Sequence, residues 1–356
     1  MTDAPPLERV RAILRAAARI ASRADPLGAE ARRVLPGTTG LSPEGVELAL
    51  REHLETDPDE ASLERLVAGV SPAPRAHVIL SGTVFTGALR ALALALAASP
   101  DVSVRPSRRE PEMVRLLHAA SGGGFRVVPE LEPSPGDVVW VYGKDETVEA
   151  VLRGMPAAVS VLGHGSGFGV VLLSADVPDD SLARDAEGVA RDVVPFDQRG
   201  CLSPRIVLVQ GSERSARRFA ERLAASLAEW EERVPRGTLD DTERADAVRY
   251  RDTMLYSGEL IPAGSGLVGV DVSGGVVLPP TGRHVHVARP TDLAATAFTL
   301  ARFVVAWAVS GPEPLRELAA AVFPEARGSA LGSMQRPPLD GPVDGRTRFL
   351  RSARSG

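Results

Sequence analysis

Short apolar strands and helical stretches alternate through the middle of the chain, and this alternation limits the possible folds more than any other feature. Strand patterns occupy residues 77–81, 102–104, 125–128, 138–141 and 158–162, with helical patterns between most of them. Because a strand, a helix and a second strand form a parallel crossover unit, the series predicts an α/β fold with a mostly parallel sheet. Ligands bind beyond the carboxyl ends of such strands, so the residues that follow each strand are the first candidates for a site.

The first 75 residues carry helical rather than strand patterns. Apolar positions recur at helical spacing over residues 7–23, Ser42 can cap a helix that Pro43 opens, and residues 57–69 form a third helical stretch. We predict a helical segment over residues 1–75 that serves packing or contact between subunits.

The later part of the chain has less regular patterns. A long amphipathic helix is predicted over residues 214–233 and an apolar helix over 291–310, while the many charged residues of 236–265 predict turns. Further strand patterns lie at 206–209, 266–270, 275–278 and 284–287.

The chain has a single cysteine, Cys201, in a stretch that is typical of a loop. Gly200 precedes the cysteine, and Pro204 follows it and opposes a helix. Arg199 and Arg205 are close in sequence, and positive charge lowers the pKa of a thiol from its usual value of about 8.5. We therefore predict an exposed, activated thiol, the alternative being a buried and inert structural cysteine.

Composition excludes several classes of protein. A chain of 356 residues is long enough for two domains, and its net charge of −5 with scattered arginines provides no footprint for nucleic acid. The apolar run at 91–98 is too short to cross a bilayer, and the N-terminal residues lack a signal-peptide pattern. One cysteine fits a reducing compartment, so we predict a cytoplasmic protein. No ligand spacing predicts a metal site, and formation of a homodimer is left open.

The cysteine segment resembles that of a known enzyme superfamily. Its pattern is Gln198-x-Gly200-Cys201-x-Ser203-Pro204-Arg205. This pattern is similar to the active-site cysteine segment of the aldehyde dehydrogenase superfamily, and within it to the acyl-CoA reductases of the LuxC type. Weaker pieces extend the resemblance over about residues 76–345.

The resemblance implies an aldehyde dehydrogenase-like fold with two α/β lobes and the active site between them. A Rossmann-like NAD(P)-binding domain is expected over residues 76–195 and a catalytic domain over 196–330. The helical segment of residues 1–75 precedes them, and a tail over 331–356 is expected to form a substrate-side loop.

The turn after the first strand departs from the family pattern. Relatives carry an asparagine there whose amide helps to hold the reacting oxyanion, and the matching position here is Thr83. A threonine hydroxyl donates one hydrogen bond but reaches less far. Loss of one such donor weakens transition-state stabilisation by about 3 kcal/mol. Thr83 is therefore a candidate catalytic residue, and a simple tight turn is the alternative.

The loop after the second strand is basic. The family has Lys-Pro-Ser there, which contacts the adenosine ribose of the nicotinamide cofactor, and Arg105 stands in place of the lysine. Guanidinium groups suit phosphate oxygens, so this loop favours the 2′-phosphate of NADPH, with NADH as the alternative cofactor and a solvated basic loop as the alternative role. The candidate cofactor residues in this loop are Arg105, Pro106, Ser107, Arg108 and Arg109.

Two further turns complete the predicted site. Gly143 and Lys144 match a turn that packs near the cofactor phosphates at a helix N-terminus, although Asp145 is equally a plain helix cap. Gly163 and Gly165 are expected to let the backbone approach the nicotinamide.

The segment 163–169 bears on the type of reaction. Aldehyde-oxidising relatives carry a glutamate here that activates water, whereas this segment contains no carboxylate. His164 is the candidate base in the segment, or else only a hydrogen-bonding residue.

These residues predict an NADPH-dependent reductase that converts an acyl thioester, either acyl-CoA or acyl-protein, to an aldehyde through an acyl-enzyme on Cys201. Without a base for water, the acyl group would wait for hydride or for another thiol. Two alternatives stay open. One is a non-catalytic protein that keeps the scaffold and binds cofactor or acyl groups, and the other is an NAD(P)-dependent aldehyde dehydrogenase that uses His164 as its base.

Overall fold

The computed structural model describes residues 4–341 and 343–352, which divide into two compact units. The first unit comprises residues 4–166, 338–341 and 347–352, and the second comprises residues 167–337 and 343–346. The sequence placed the boundary between the two domains at 195–196, about one strand and one helix later. The observed division lies earlier because the strand that begins at Phe168 pairs with strands of the second unit.

The first unit opens with helices and continues as alternating strands and helices. Apolar residues on one face of the first helix, among them Val10, Ile13 and Ala17, are fully buried. The helices are α1 (Pro6–Ala21), α2 (Pro26–Thr39), α3 (Pro43–Glu52), α4 (Glu60–Ala68), α5 (Gly87–Ala98), α6 (Glu112–Ala120) and α7 (Asp145–Gly154). The strands are β1 (Ala76–Ile79), β2 (Val102–Arg105), β3 (Arg126–Val127), β4 (Val138–Tyr142) and β5 (Ser160–His164).

The sheet of the first unit has the order β13-β5-β4-β1-β2-β3, where β13 (Leu350–Arg351) is the last strand of the described chain. All neighbouring pairs are parallel except β13 with β5. The chain order reverses between β4 and β1, and such a reversal leaves a crevice at the carboxyl ends of the two strands.

The second unit is built on a seven-stranded sheet of order β12-β11-β6-β7-β10-β9-β8, in which only β8 and β9 are antiparallel. Its strands are β6 (Phe168–Ser174), β7 (Pro204–Gln210), β8 (Glu259–Ala263), β9 (Gly266–Asp271), β10 (His284–Ala288), β11 (Val304–Ser310) and β12 (Arg327–Ser329). Its helices are α8 (Asp179–Val193), α9 (Glu213–Arg233), α10 (Asp241–Ser257), α11 (Leu293–Leu300) and α12 (Glu313–Val322).

The α/β fold class predicted from the sequence is confirmed, but several element predictions in the second unit are wrong. The predicted helix over 291–310 is a short helix followed by strand β11, because a parallel strand buried on both faces reads as one apolar run. The turn-rich stretch 236–265 contains helix α10 and strand β8, and residues 275–278 are irregular. Strand β6 was not predicted at all.

Helix α10 escaped prediction because it has few apolar positions. Only Tyr250 and Met254 are buried along its length, so its sequence carries no apolar stripe. Its start is instead marked by a capping box between Asp240 and Glu243, in which each side chain receives a backbone N–H of the other residue. Among the residues described, none of the helices has the length and apolarity needed to cross a bilayer.

Candidate active site

Cys201 lies in a strained loop between helix α8 and strand β7, in the second unit. A 3-10 turn over Pro195–Gln198 precedes it, and three consecutive residues of this turn have left-handed backbone torsions. Their φ angles are 56° at Phe196, 50° at Asp197 and 64° at Gln198. Such torsions are costly for residues with a side chain, about 1–3 kcal/mol each, and persist only where surrounding contacts impose them.

The side chain of Gln198 supplies one set of these contacts. Its amide nitrogen donates to the carbonyl of Pro204 at 2.9 Å and to the carbonyl of His284 at 2.7 Å. Its amide oxygen accepts from the backbone N–H of His284 at 2.9 Å. Gln198 is 1 % exposed, so one buried amide ties both ends of the cysteine loop to the start of β10.

Asp197 supplies the second set. Its carboxylate accepts from Arg283 Nε at 3.1 Å, with the ion-pair contact to Nη2 at 2.8 Å, and from the backbone N–H of Gly237 at 3.0 Å. Burial raises the pKa of Asp197, and the charges of Arg283 and Arg199 oppose that rise. Because both partners are buried, the pair fixes the backbone just before the cysteine.

The two arginines that were expected to activate the thiol face other groups, so this expectation is wrong. Arg199 binds Glu243 through two contacts of 2.7 and 3.0 Å, and Arg205 donates to the carbonyl of Pro279. Burial lowers the pKa of Arg205 to about 10. Closeness in sequence did not predict these contacts, because a long arginine side chain can reach an acceptor that is distant in the chain.

The thiol of Cys201 is not activated in this structure. The residue is half-buried, and burial of its sulfur raises the thiol pKa to about 11. The negative charge of Asp344 contributes to the rise, and the positive charge of Arg346 opposes it. At pH 7 only about one thiol in ten thousand would be ionised with such a pKa.

Asp344 and Arg346 form a buried ion pair in the second unit. Arg346 Nε donates to Asp344 Oδ1 at 2.8 Å and Nη2 donates to Oδ2 at 2.7 Å, a two-pronged geometry. The two side chains are 6 % and 5 % exposed. Their effect on the Cys201 pKa makes them functional candidates that sequence reasoning missed. The sequence shows Asp344 and Arg346 two positions apart, but no local sequence pattern connects them with Cys201.

Asp192 is a second candidate that the sequence did not reveal. Its carboxylate accepts from the backbone N–H groups of Gly332 at 2.7 Å and Met334 at 2.8 Å, and its carbonyl accepts from the hydroxyl of Ser203 at 3.0 Å. Burial raises the pKa of Asp192 to about 7, and the hydrogen bonds from the backbone N–H groups of Gly332 and Met334 oppose that rise. Asp192 thus joins the segment around residue 333 to the cysteine loop.

The first unit holds the remaining predicted residues at one edge of its sheet. Thr83 follows β1, is exposed, and lies with its hydroxyl 3.3 Å from that of Ser81. The backbone of Gly82 passes close to the basic loop after β2, since a Cβ there would lie 2.7 Å from the hydroxyl of Ser107. The structure therefore brings the turns after β1 and β2 together.

The basic loop itself presents its arginines outward. Arg108 and Arg109 are exposed, whereas Arg105, the last residue of β2, is half-buried together with Pro106 and Ser107. The backbone N–H of Arg109 donates to the Ser107 hydroxyl at 3.2 Å, which shapes the turn. Such a loop at the carboxyl end of a parallel strand can receive an anion.

The turns after β4 and β5 also lie side by side. Gly143 N–H donates to the carbonyl of His164 at 3.1 Å, and the rings of Tyr142 and His164 stack with centroids 4.6 Å apart. Lys144, rather than Asp145, is the N-cap residue of α7. Asp145 instead accepts from the backbone N–H of Ser166 at 2.6 Å, so its alternative reading as a plain cap is wrong.

The two glycines of this region are enclosed by side chains. A Cβ at Gly163 would lie 2.4 Å from Val148 and 2.8 Å from Phe349, and one at Gly165 would lie 2.3 Å from Asp145. Gly163 belongs to strand β5, which extends two residues further than predicted. Close packing within the first unit thus accounts for both glycines, and their contact with a nicotinamide stays a prediction.

A nicotinamide cofactor fits the first unit on these observations. The turns after β1, β2, β4 and β5 all lie at the carboxyl edge of a parallel sheet, the strand order reverses between β4 and β1, and an outward basic loop follows β2. Among the described residues, no group of three or more His, Cys, Asp or Glu side chains is arranged to hold a metal ion.

One known protein family matches part of the sequence. Residues 130–260 match the family described as acyl-CoA reductase (LuxC). This segment contains Gly143, Lys144, His164 and Cys201, and it does not contain Thr83 or the basic loop. No curated protein matches the chain.

Solved structures with a similar fold include several aldehyde dehydrogenases and an oxidoreductase. An oxidoreductase from Marinobacter aquaeolei is similar with a TM-score of 0.73 at 13 % identity, covering 96 % of this chain and 83 % of its own. A salicylaldehyde dehydrogenase from Pseudomonas putida G7 gives 0.69 at 14 % identity, with 98 % and 84 % covered. A lactaldehyde dehydrogenase gives 0.70 at 12 % identity, with 98 % and 85 % covered.

Proposed function

From the premise that this chain has the aldehyde dehydrogenase fold and a LuxC-type acyl-CoA reductase segment, as its sequence predicted, we propose that it reduces an acyl thioester to an aldehyde with NADPH. The match and the fold support an oxidoreductase that acts on aldehydes or acyl groups. The observation that carries the finer proposal is the LuxC match across Cys201, whose loop is held rigidly by buried contacts in front of β7. A rigid loop is what a nucleophile requires, because misplacement of a reacting atom by 1 Å costs about 10²-fold in rate.

In the proposed reaction the Cys201 thiolate attacks the carbonyl carbon of the thioester, and the bond to the leaving thiol breaks, which leaves the acyl group on Cys201. Bound NADPH would supply the hydride that reduces this group to the aldehyde. Cys201 then departs as thiolate and is ready for the next cycle. The Cys201 backbone N–H and, as a prediction, the Thr83 hydroxyl would stabilise the oxyanion.

The chemical argument for a reductase is the missing water-activating base. Residues 163–169 contain no carboxylate, and His164 is stacked on Tyr142. An acyl-enzyme without a base for water lives long enough to accept hydride. The substrate class, an acyl-CoA or an acyl-protein, follows from the family match and is part of the proposal.

NADPH would be held by the loops at the carboxyl edge of the first sheet. Arg105, Arg108 and Arg109 would face the 2′-phosphate, and Gly143 and Lys144 would lie near the pyrophosphate at the start of α7. Equal affinities for NADH and NADPH in a binding titration would remove the proposed preference for NADPH.

The direct test is to incubate the protein with NADPH and acyl-CoAs of several chain lengths, following both cofactor absorbance and aldehyde. We expect aldehyde in proportion to NADPH consumed, and a loss of about 10³-fold or more in Cys201→Ser and Cys201→Ala, because both lack the thiolate. NADPH affinity should be unchanged in these variants, which shows that they are folded. Aldehyde formation at the normal rate by Cys201→Ser would refute the role of the cysteine.

A second candidate function is binding of cofactor or acyl groups without turnover. The raised thiol pKa favours it, since a thiol that ionises at about pH 11 is a weak nucleophile at neutral pH. Alkylation by iodoacetamide separates the two functions. NADPH binding together with sluggish alkylation at pH 8, with and without bound NADPH, would support the binding protein, whereas cofactor-accelerated alkylation would support the reductase.

A further inference from the structure

The Asp344–Arg346 pair engages both oxygens of the Asp344 carboxylate. Besides the two guanidinium contacts, Asp344 Oδ1 accepts from the backbone N–H of Arg346 at 3.1 Å, so one arginine residue provides three donors. Arg346 Nη1 also donates to the carbonyl of Arg302 at 3.4 Å, which anchors the guanidinium to the segment before β11. With only 5–6 % exposure, the pair has little competition from water.

Residues 167–169 link this pair to the cysteine loop. A Cβ at Gly167 would lie 3.1 Å from Arg346 Nη1, so the guanidinium covers the residue just before strand β6. Two residues later, Gly169 N–H donates to the carbonyl of Ser203 at 2.8 Å, and a Cβ there would lie 2.6 Å from the carbonyl of Leu202. Residues 167–169 therefore touch the ion pair at one end and the residues following Cys201 at the other.

The electrostatic effects agree with this placement. After burial, which is the largest cause, the charge of Asp344 raises the pKa of Cys201 and the charge of Arg346 lowers it. The Asp344 carboxylate thus belongs to the charge environment of Cys201, although the segment 163–169, where the oxidising relatives carry theirs, contains no carboxylate.

We propose that Arg346 determines the product of the reaction at Cys201, by holding the Asp344 carboxylate in an ion pair so that it cannot serve as a base for water. This inference rests on the proposed acyl-enzyme function. Arg346 is a positioning residue in this account: it acts through Asp344 and is not expected to touch the substrate.

The step that Arg346 suppresses is hydrolysis of the acyl-enzyme. The oxygen of a water molecule would bond to the acyl carbon while one water proton passes to the Asp344 carboxylate. The bond from carbon to the Cys201 sulfur would then break, the sulfur would take the proton from Asp344, and the carboxylic acid would leave. No oxidant or reductant is consumed. A free carboxylate base would accelerate this step by about 10²–10⁴-fold, whereas a carboxylate with both oxygens accepting from arginine is a poor base.

The experiment compares four variants with the wild type. Arg346→Gln frees Asp344, Arg346→Lys keeps the charge but loses the two-pronged contact, Asp344→Asn removes the base, and Asp344→Asn combined with Arg346→Gln removes both charges. Arg316→Gln is the control, because Arg316 forms an exposed ion pair with Glu313 on α12. With acyl-CoA and NADPH, the ratio of free acid to aldehyde is measured by mass spectrometry.

We expect the acid-to-aldehyde ratio to rise about 10²-fold in Arg346→Gln, to rise less in Arg346→Lys, and to return to the wild-type value in the double variant. Arg316→Gln should leave the ratio unchanged. A merely structural role for Arg346 would lower both products together, and an equal ratio in Arg346→Lys, Arg346→Gln and the wild type would overturn the proposal. Arg346→Lys keeps the test valid if Arg346→Gln is too unstable to purify.

Alkylation of Cys201 by iodoacetamide at pH 8 provides a readout that does not depend on turnover. Asp344→Asn should react faster than the wild type and Arg346→Gln more slowly, by about tenfold for each unit by which the thiol pKa changes. If neither rate changes, the pair does not act on the thiol and the inference fails. If the rates change as expected but the wild type forms neither aldehyde nor acid, the proposed function fails while the electrostatic link stands.

Discussion

At the residue scale, single buried side chains determine how the cysteine loop is held and how its charges behave. Phe196, Asp197 and Gln198 all keep left-handed torsions that glycine would adopt at less cost. Gln198 offsets this strain with three hydrogen bonds of its side-chain amide. Asp192 holds the other side of the loop while its own charge is disfavoured by burial.

The raised pKa of Asp192 predicts a dependence of stability on pH. The folded protein retains the Asp192 proton up to about pH 7, whereas an unfolded aspartate loses it near pH 3.9, so stability falls as pH rises between these values. Relative to the wild type, Asp192→Asn should gain about 1.4 kcal/mol of unfolding free energy per pH unit between pH 5 and pH 7. Urea unfolding at several pH values measures this gain.

Asp241→Asn is the matched control for this prediction, because the Asp241 side chain is 96 % exposed. The unfolding free energy of Asp241→Asn should change with pH in the same way as that of the wild type across this range. A constant difference between Asp192→Asn and the wild type from pH 5 to pH 8 would contradict the raised pKa.

At the element scale, helix α10 serves as a support for the cysteine loop. Glu243, in its first turn, caps the helix and also binds Arg199, two residues before Cys201. The Arg199 side chain is 4 % exposed and that of Glu243 is 14 % exposed, so the pair lies largely out of water. One carboxylate thereby connects the start of a helix to the strained loop.

Breaking the ion pair of Arg199 with Glu243 should lower the free energy of unfolding. Arg199→Met leaves the largely buried Glu243 without its cationic partner, and we expect a loss of about 3–5 kcal/mol of unfolding free energy. Combining Arg199→Met with Glu243→Leu should recover part of the loss, since no charge is then left unpaired. The exposed pair of Arg217 with Glu259 is the control, where Arg217→Met should cost about 1 kcal/mol or less. Equal costs at the two sites would show that burial does not matter here.

At the scale of the whole molecule, distant parts of the chain complete each unit. The last described strand, β13, pairs with β5 at the edge of the first sheet, and the Phe349 side chain packs into the core cluster of Val139, Val141, Val148 and Val161. Residues 343–346 belong instead to the second unit, where the Arg346 guanidinium lies against Gly167, just before β6. Residues 343–346 therefore contribute to the second unit, and residues 347–352 contribute to the first.

The stability of the first unit should depend on this late segment. Phe349 is 8 % exposed, and Phe349→Ala should cost about 3–5 kcal/mol because it leaves a cavity beside β5. Leu350→Ala, at a side chain that is 48 % exposed, is the control and should have a small effect. Hydrogen exchange of the 160–164 backbone amides, followed by mass spectrometry, measures the change, and unaltered protection in Phe349→Ala would argue against the packing described.

The sequence by itself determined the fold class, the alternation of strands and helices in the first unit, and the loop character around Cys201, because these depend on local periodicity and on nearby glycine and proline. Local patterns could not separate the buried strand β11 from a helix, nor reveal the polar helix α10. Only the tertiary structure decided the state of the thiol. Arg199 and Arg205 are its neighbours in sequence, yet burial together with Asp344 and Arg346 sets its pKa, because desolvation and charge interactions depend on distance in space rather than on distance along the chain.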